Sequence, residues 1–96
     1  MQLSQEIAAQ RQEILRIAAK HGVRRVRVFG SMVRGEAGPQ SDVDFLVDVG
    51  PTHSAFFPGG FVADLEELLG RPVDVVEPEG IYPPLKTTIL SEAIPL

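Results

Sequence analysis

Two short stretches hold the residues best suited to chemistry: Gly30-Ser31-Met32-Val33-Arg34-Gly35 and Ser41-Asp42-Val43-Asp44. In the first, Gly30 has no side chain to keep a ligand off the backbone, and it permits a sharp turn. A helix opening after that turn aims its positive end at an anion. The Ser31 hydroxyl can donate to a phosphate oxygen, and the Arg34 guanidinium can grip one bidentately. In the second stretch, Asp42 and Asp44 alternate on a strand, so their carboxylates point to one side with Cα atoms roughly 6.5–7 Å apart. Two such carboxylates repel, and one should hold its proton to higher pH. A divalent cation relieves the repulsion, and Mg²⁺ favours carboxylate, water and phosphate oxygens. A phosphate cradle followed by a cation site is equipment for a nucleoside triphosphate.

Taken singly, a Gly-Ser turn is also an ordinary helix cap, and Asp-x-Asp is also a solvated strand face. Aspartate is a poor strand former, however, so two on one otherwise apolar strand need a reason. A third carboxylate is expected if two cations are held. Asp74 is the candidate, because it interrupts the apolar run Val73-Asp74-Val75-Val76. Asp48 lies further along the second strand and reads as solvent-facing. His21 reads as a helix-end residue and His53 as a loop residue, neither with a metal role. The basic run Arg24-Arg25-Val26-Arg27 is too short for a nucleic-acid surface and reads as a solvated or partner-facing strand edge.

The elements that must position these groups follow from periodicity and punctuation. Leu3, Ile7, Ile14 and Ala18 share a helical face, widened by Leu15 and Ala19. With Ser4 as cap, Glu6 in the first turn and Gly22 as stop, one helix is predicted from Gln5 to His21. Val23 to Phe29 reads as a strand ending at Gly30, and Ser31 as the cap of a short turn through Arg34. Gly35 to Gln40 is a loop. Asp42 to Val49 is a strand with Val43, Phe45, Val47 and Val49 on the buried face and Asp42, Asp44, Leu46 and Asp48 on the open one. Pro51 to Gly60 is a loop carrying Phe56-Phe57, and Phe61 to Leu69 a helix stopped by Gly70. Val73 to Val76 is a strand, Glu77 to Pro83 a turn, and Pro84 opens a last helix ending near Ala93. The turn ends the first strand while the carboxylates begin the second. The two can meet only if those strands run antiparallel, which the short loop between them also favours. The fold class is α/β (α+β), a small mixed sheet flanked by helices.

The chain has 96 residues, suited to one domain over 1–96 with a thin core. That leaves little room for a separate acceptor-binding region, so the acceptor is expected to be another macromolecule or subunit. A net charge of -4 argues against direct nucleic-acid binding. No cysteine is present, no apolar run approaches the roughly 20 residues that span a bilayer, and the amphipathic N-terminus does not resemble a signal peptide. The expectation is a soluble cytoplasmic protein without a membrane partner.

Gly30-Ser31, Arg34-Gly35, Asp42-x-Asp44 and a later strand-borne Asp74 resemble the nucleotidyltransferase superfamily that includes DNA polymerase β. More closely, they resemble the minimal nucleotidyltransferases, the MNT antitoxins that accompany HEPN-domain toxins. The likeness extends through Glu66-Glu67-Leu68-Leu69-Gly70 before Pro72-Val73-Asp74, and to the closing Glu92-Ala93-Ile94-Pro95-Leu96. Met32-Val33 departs from the Arg-Ala that many members carry. The resemblance implies a polymerase β-like fold and a Mg²⁺-dependent protein adenylyltransferase. ATP would lie on Gly30, Ser31 and Arg34, with two Mg²⁺ held by Asp42, Asp44 and Asp74. AMP would pass to a tyrosine of a HEPN toxin in a hetero-oligomer with this chain, inactivating the toxin. The alternative is a non-catalytic antitoxin that binds and masks the toxin. A small-molecule nucleotidyltransferase fits less well, because such proteins usually carry a further substrate-binding region.

Overall fold

The structure is a computed structural model and describes residues 2–96. Its elements are α1 (Gln5–Ala9), α2 (Arg11–Lys20), β1 (Val23–Phe29), α3 (Ser31–Arg34), β2 (Val43–Val49), α4 (Gly59–Leu69), β3 (Val73–Val76), α5 (Lys86–Glu92) and β4 (Ile94–Pro95). Short 3₁₀ turns at Pro78–Gly80 and Pro83–Leu85 lead from β3 into α5. The sheet order is β3-β2-β1-β4. β1 is antiparallel to β2 and to β4, while β2 and β3 are parallel. The sheet is therefore small and mixed, with the antiparallel first pair that the short 35–42 connection requires.

One face of the sheet carries the main core. Val26, Val28, Val43, Phe45 and Val47 pack there with Ile7, Ile14, Ile17, Phe61 and Leu65 of α1, α2 and α4. The N-terminal helical stretch is two helices rather than one. Ser4 caps α1 by accepting from the Ile7 amide, and Gln10 both ends α1 and begins α2. Ile17, absent from the expected stripe, is buried, while Leu15 and Ala19 face solvent. His21 ends α2 as its C-cap, the helix-end position expected of it, and is buried there. It is 5% exposed, with Nδ1 against the Ser54 hydroxyl and Nε2 against Asp64, each at 2.8 Å, and its ring edge meets Phe61. It ties the 51–58 loop to α2 and α4 as a buried polar group with partners on both nitrogens. In that loop Phe57 packs on the core, while Phe56 stands out, 78% exposed.

The other face is only partly open. Leu46, expected on the solvated side of β2, is fully buried beneath Phe29, Ile81, Val76, Ile89 and Ala93. The 3₁₀ turns and α5 cover the middle of that face, and the alternation of β2 cannot reveal this because it separates two faces without saying which is covered. Leu46→Ala is expected to cost about 2–4 kcal/mol in urea unfolding. A cost below about 0.5 kcal/mol would return Leu46 to a solvated face. β4 is too short to show a strand pattern in the sequence. Its two residues pair with Arg27 and Val28.

Candidate active site

The three aspartates meet at one end of the α5-covered face. Asp44 pairs in register with Phe29 on β1 and with Asp74 on β3, so both neighbouring strands deliver their motif to one place. Asp42 stands just ahead of β2 and is exposed, as is Asp74 on the edge strand, whereas Asp44 is half-buried. The charges feel one another. The Asp44 carboxyl is pushed up from its ordinary 3.8 to about 6, first by burial, then by the Asp74 and Asp42 charges, with Glu92 adding and Arg34 opposing.

Gly30 shows how tightly the two motifs are joined. Its backbone lies at φ 81°, ψ -152°, a region essentially reserved for glycine. A Cβ there would strike the Asp44 Oδ2. The turn and the carboxylate thus share one space, which a side chain at position 30 would fill. Gly30 itself is the cap of α3, with Ser31 its first residue rather than the cap. The Ser31 amide and hydroxyl have no partner among the described residues. A concavity of about 480 Å³ opens on the N-terminal side of this turn, lined in part by Ser4, Gln5, Ser31 and Arg34 and by none of the three aspartates. A second, of about 410 Å³, lies between α2 and α4. Both cations of its rim are already engaged, Arg16 with Glu13 and Lys20 with Asp64, which leaves it poorly equipped for a triphosphate.

Two side chains reach these motifs from distant parts of the chain. Glu92, at the end of α5, is 5% exposed and accepts from the Gly30 amide at 2.7 Å and from Arg34 Nη1 at 3.1 Å. Arg34 also donates Nε to Glu36 at 2.7 Å, leaving Nη2 without a partner among the described residues. Arg71 reaches the loop ahead of Asp42, donating Nη1 to the Gly38 and Ser41 carbonyls at 2.7 and 3.1 Å while its Nε meets Glu6 at 2.7 Å. Asp48 lies 3.6 Å from Arg25 and 3.8 Å from Arg27, so it serves the charges of β1 and stands apart from the cluster.

An oxygen-only donor set under mutual repulsion suits Mg²⁺. Among the described residues no three acidic, imidazole or thiolate side chains close into a cage by themselves. An ion here would draw its remaining oxygens from water and phosphate, as Mg²⁺ usually does. None of the described helices is long and apolar enough to cross a membrane.

Residues 11–96 match the model of the nucleotidyltransferase domain family, and the chain belongs to that family. Its fold is that of a solved structure provisionally described as a minimal nucleotidyltransferase, 43% identical with a TM-score of 0.80, covering 94% of this chain and 92% of that one. Protein adenylyltransferase MntA of Thermococcus cleftensis is 41% identical over 75 residues, 78% of this chain and 76% of that protein. MJ0435 of Methanocaldococcus jannaschii, provisionally named a protein adenylyltransferase, is 42% identical over 84 residues, 88% of this chain and 90% of that protein. A toxin–antitoxin structure with AMP-PNP shares the fold at a TM-score of 0.72 and 19% identity, covering 88% of this chain and 69% of that one.

Proposed function

We propose that this protein is a protein adenylyltransferase and the antitoxin of a toxin–antitoxin pair, moving AMP from ATP to a tyrosine hydroxyl of a partner HEPN-domain toxin and so silencing it. The observation that carries the reading is the convergence of Asp42, Asp44 and Asp74 beside the Gly30-Ser31 turn. The adenylyltransferase relatives support the transferred group. The solved MntA–HepT toxin–antitoxin and the AMP-PNP complex share the fold and suggest the partner and the nucleotide.

In this reading the Ser31 amide and hydroxyl receive the phosphates, and Arg34 adds positive charge beside them. Asp42, Asp44 and Asp74 would hold two Mg²⁺. When bound, the ions stabilise charge on the attacking and leaving oxygens of an in-line displacement. Asp74, exposed on its edge strand, would take the tyrosine proton as that oxygen bonds to the α-phosphorus and pyrophosphate leaves.

The test is the intact mass of the partner toxin after incubation with this protein, ATP and Mg²⁺. Addition of one or more adenylyl groups, with loss of toxin activity, is the expected result. Suppression without ATP and without added mass would favour masking, to which the exposed Phe56 could contribute a contact.

A further inference from the structure

We infer that Glu92 is a positioning residue for the nucleotide, setting the Gly30-Ser31 turn against Asp44 through the Gly30 amide and Arg34. Gly30 is held by its N–H, which donates to Glu92 at 2.7 Å, and it lies so close to Asp44 that a Cβ on it would strike the Asp44 Oδ2. The same Glu92 carboxylate takes Arg34 Nη1 on both oxygens at 3.1 Å. One carboxylate therefore fixes the first and last residues of Gly30-Ser31-Met32-Val33-Arg34, and the Ser31 donors lie between those two anchors. Glu92 is 5% exposed, and its neighbours Ile89 and Ala93 pack against the Phe29–Leu46 cluster, so it is delivered from a rigid base. A buried carboxylate with these charge-assisted bonds resists rotation. Because the Gly30 amide is already committed, phosphate is received by Ser31. Glu92 touches no substrate and acts through the turn, in contrast to Glu36, the exposed second partner of Arg34.

This inference rests on the nucleotide site proposed above. The experiment measures binding of AMP-PNP with Mg²⁺ and steady-state transfer for the wild type, Glu92→Ala, Glu92→Gln and Glu36→Ala. Glu92→Ala is expected to weaken AMP-PNP binding about tenfold and to lower transfer by up to about a hundredfold. Its KM for ATP rises, the KM for the toxin stays unchanged, and the Gly30 amide loses hydrogen-exchange protection. Glu92→Gln keeps an acceptor for Gly30 but loses the charge on Arg34, so it falls between, and it serves if the alanine variant does not fold. Glu36→Ala changes binding less than about twofold. A folded Glu92 variant that binds AMP-PNP as well as wild type, or more tightly, overturns the inference. Tighter binding would make Glu92 a competitor of phosphate instead. Wild-type protein that binds no AMP-PNP refutes the nucleotide site itself.

Discussion

Asp44→Asn is expected to lower AMP transfer about 10²–10⁴-fold while making the ion-free protein more stable at neutral pH. The loss follows if Asp44 is, as proposed, the central ligand of the two cations. The gain follows from the sign of the Asp44 shift. Its carboxyl is raised to about 6 in the folded protein from an ordinary 3.8, so the folded state binds the proton more tightly than the unfolded one. The stability from that proton is fully present below 3.8 and is lost as pH rises through about 6. At pH 7–8 the half-exposed, ionised Asp44 therefore costs the ion-free fold about 1–2 kcal/mol, after allowance for solvent screening. Asparagine removes that cost, and its advantage fades toward pH 4. Thermal melts across pH 4–8, without and with Mg²⁺, read this directly. Mg²⁺ should raise the melting temperature of wild type above pH 6 and leave Asp44→Asn unmoved. A variant less stable than wild type at pH 8 would show that Asp44 is a structural residue.

The second large effect is at Gly30. Gly30→Ala places a Cβ on a backbone that only glycine adopts, and drives it into the Asp44 carboxylate. The expected cost is about 2–4 kcal/mol in urea unfolding, with transfer lost in whatever folded protein remains. Gly35→Ala is the control. Gly35 also has positive φ, at 75°, yet an added Cβ meets nothing within 4 Å. It should cost about 1 kcal/mol and retain most of the transfer activity. Equal behaviour of the two variants would remove the argument that turn and carboxylate share one space.

Much of the site's frame was legible because it is local. Alternation placed Asp44 on the face of β2 opposite Val43 and Phe45, although Asp42 stands one residue ahead of the strand, and the short loop after Gly30 required an antiparallel return. Ser4 and Gly22 marked helix ends by their chemistry. The break at Gln10 has a local signal: neither Gln10 nor Arg11, three and four residues beyond Ile7, is apolar, so the stripe lapses there. Other features were not legible. Glu92 meets Gly30 across 62 residues, and Arg71 meets Ser41 across 30. Leu46 reads as solvent-facing until α5 is laid over it, and nothing local shows that His21, at its helix end, is buried against Asp64 and Ser54 of distant elements. In each case the deciding partner belongs to the tertiary fold, which local pattern does not encode.

The most direct measurement is a crystal structure of the protein with AMP-PNP and Mn²⁺, with the ions located by anomalous scattering. Metal peaks bounded by Asp42, Asp44 and Asp74, with the triphosphate against Ser31, are the predicted result. Nucleotide bound elsewhere, such as between α2 and α4, or ions that leave the three aspartates untouched, would contradict it.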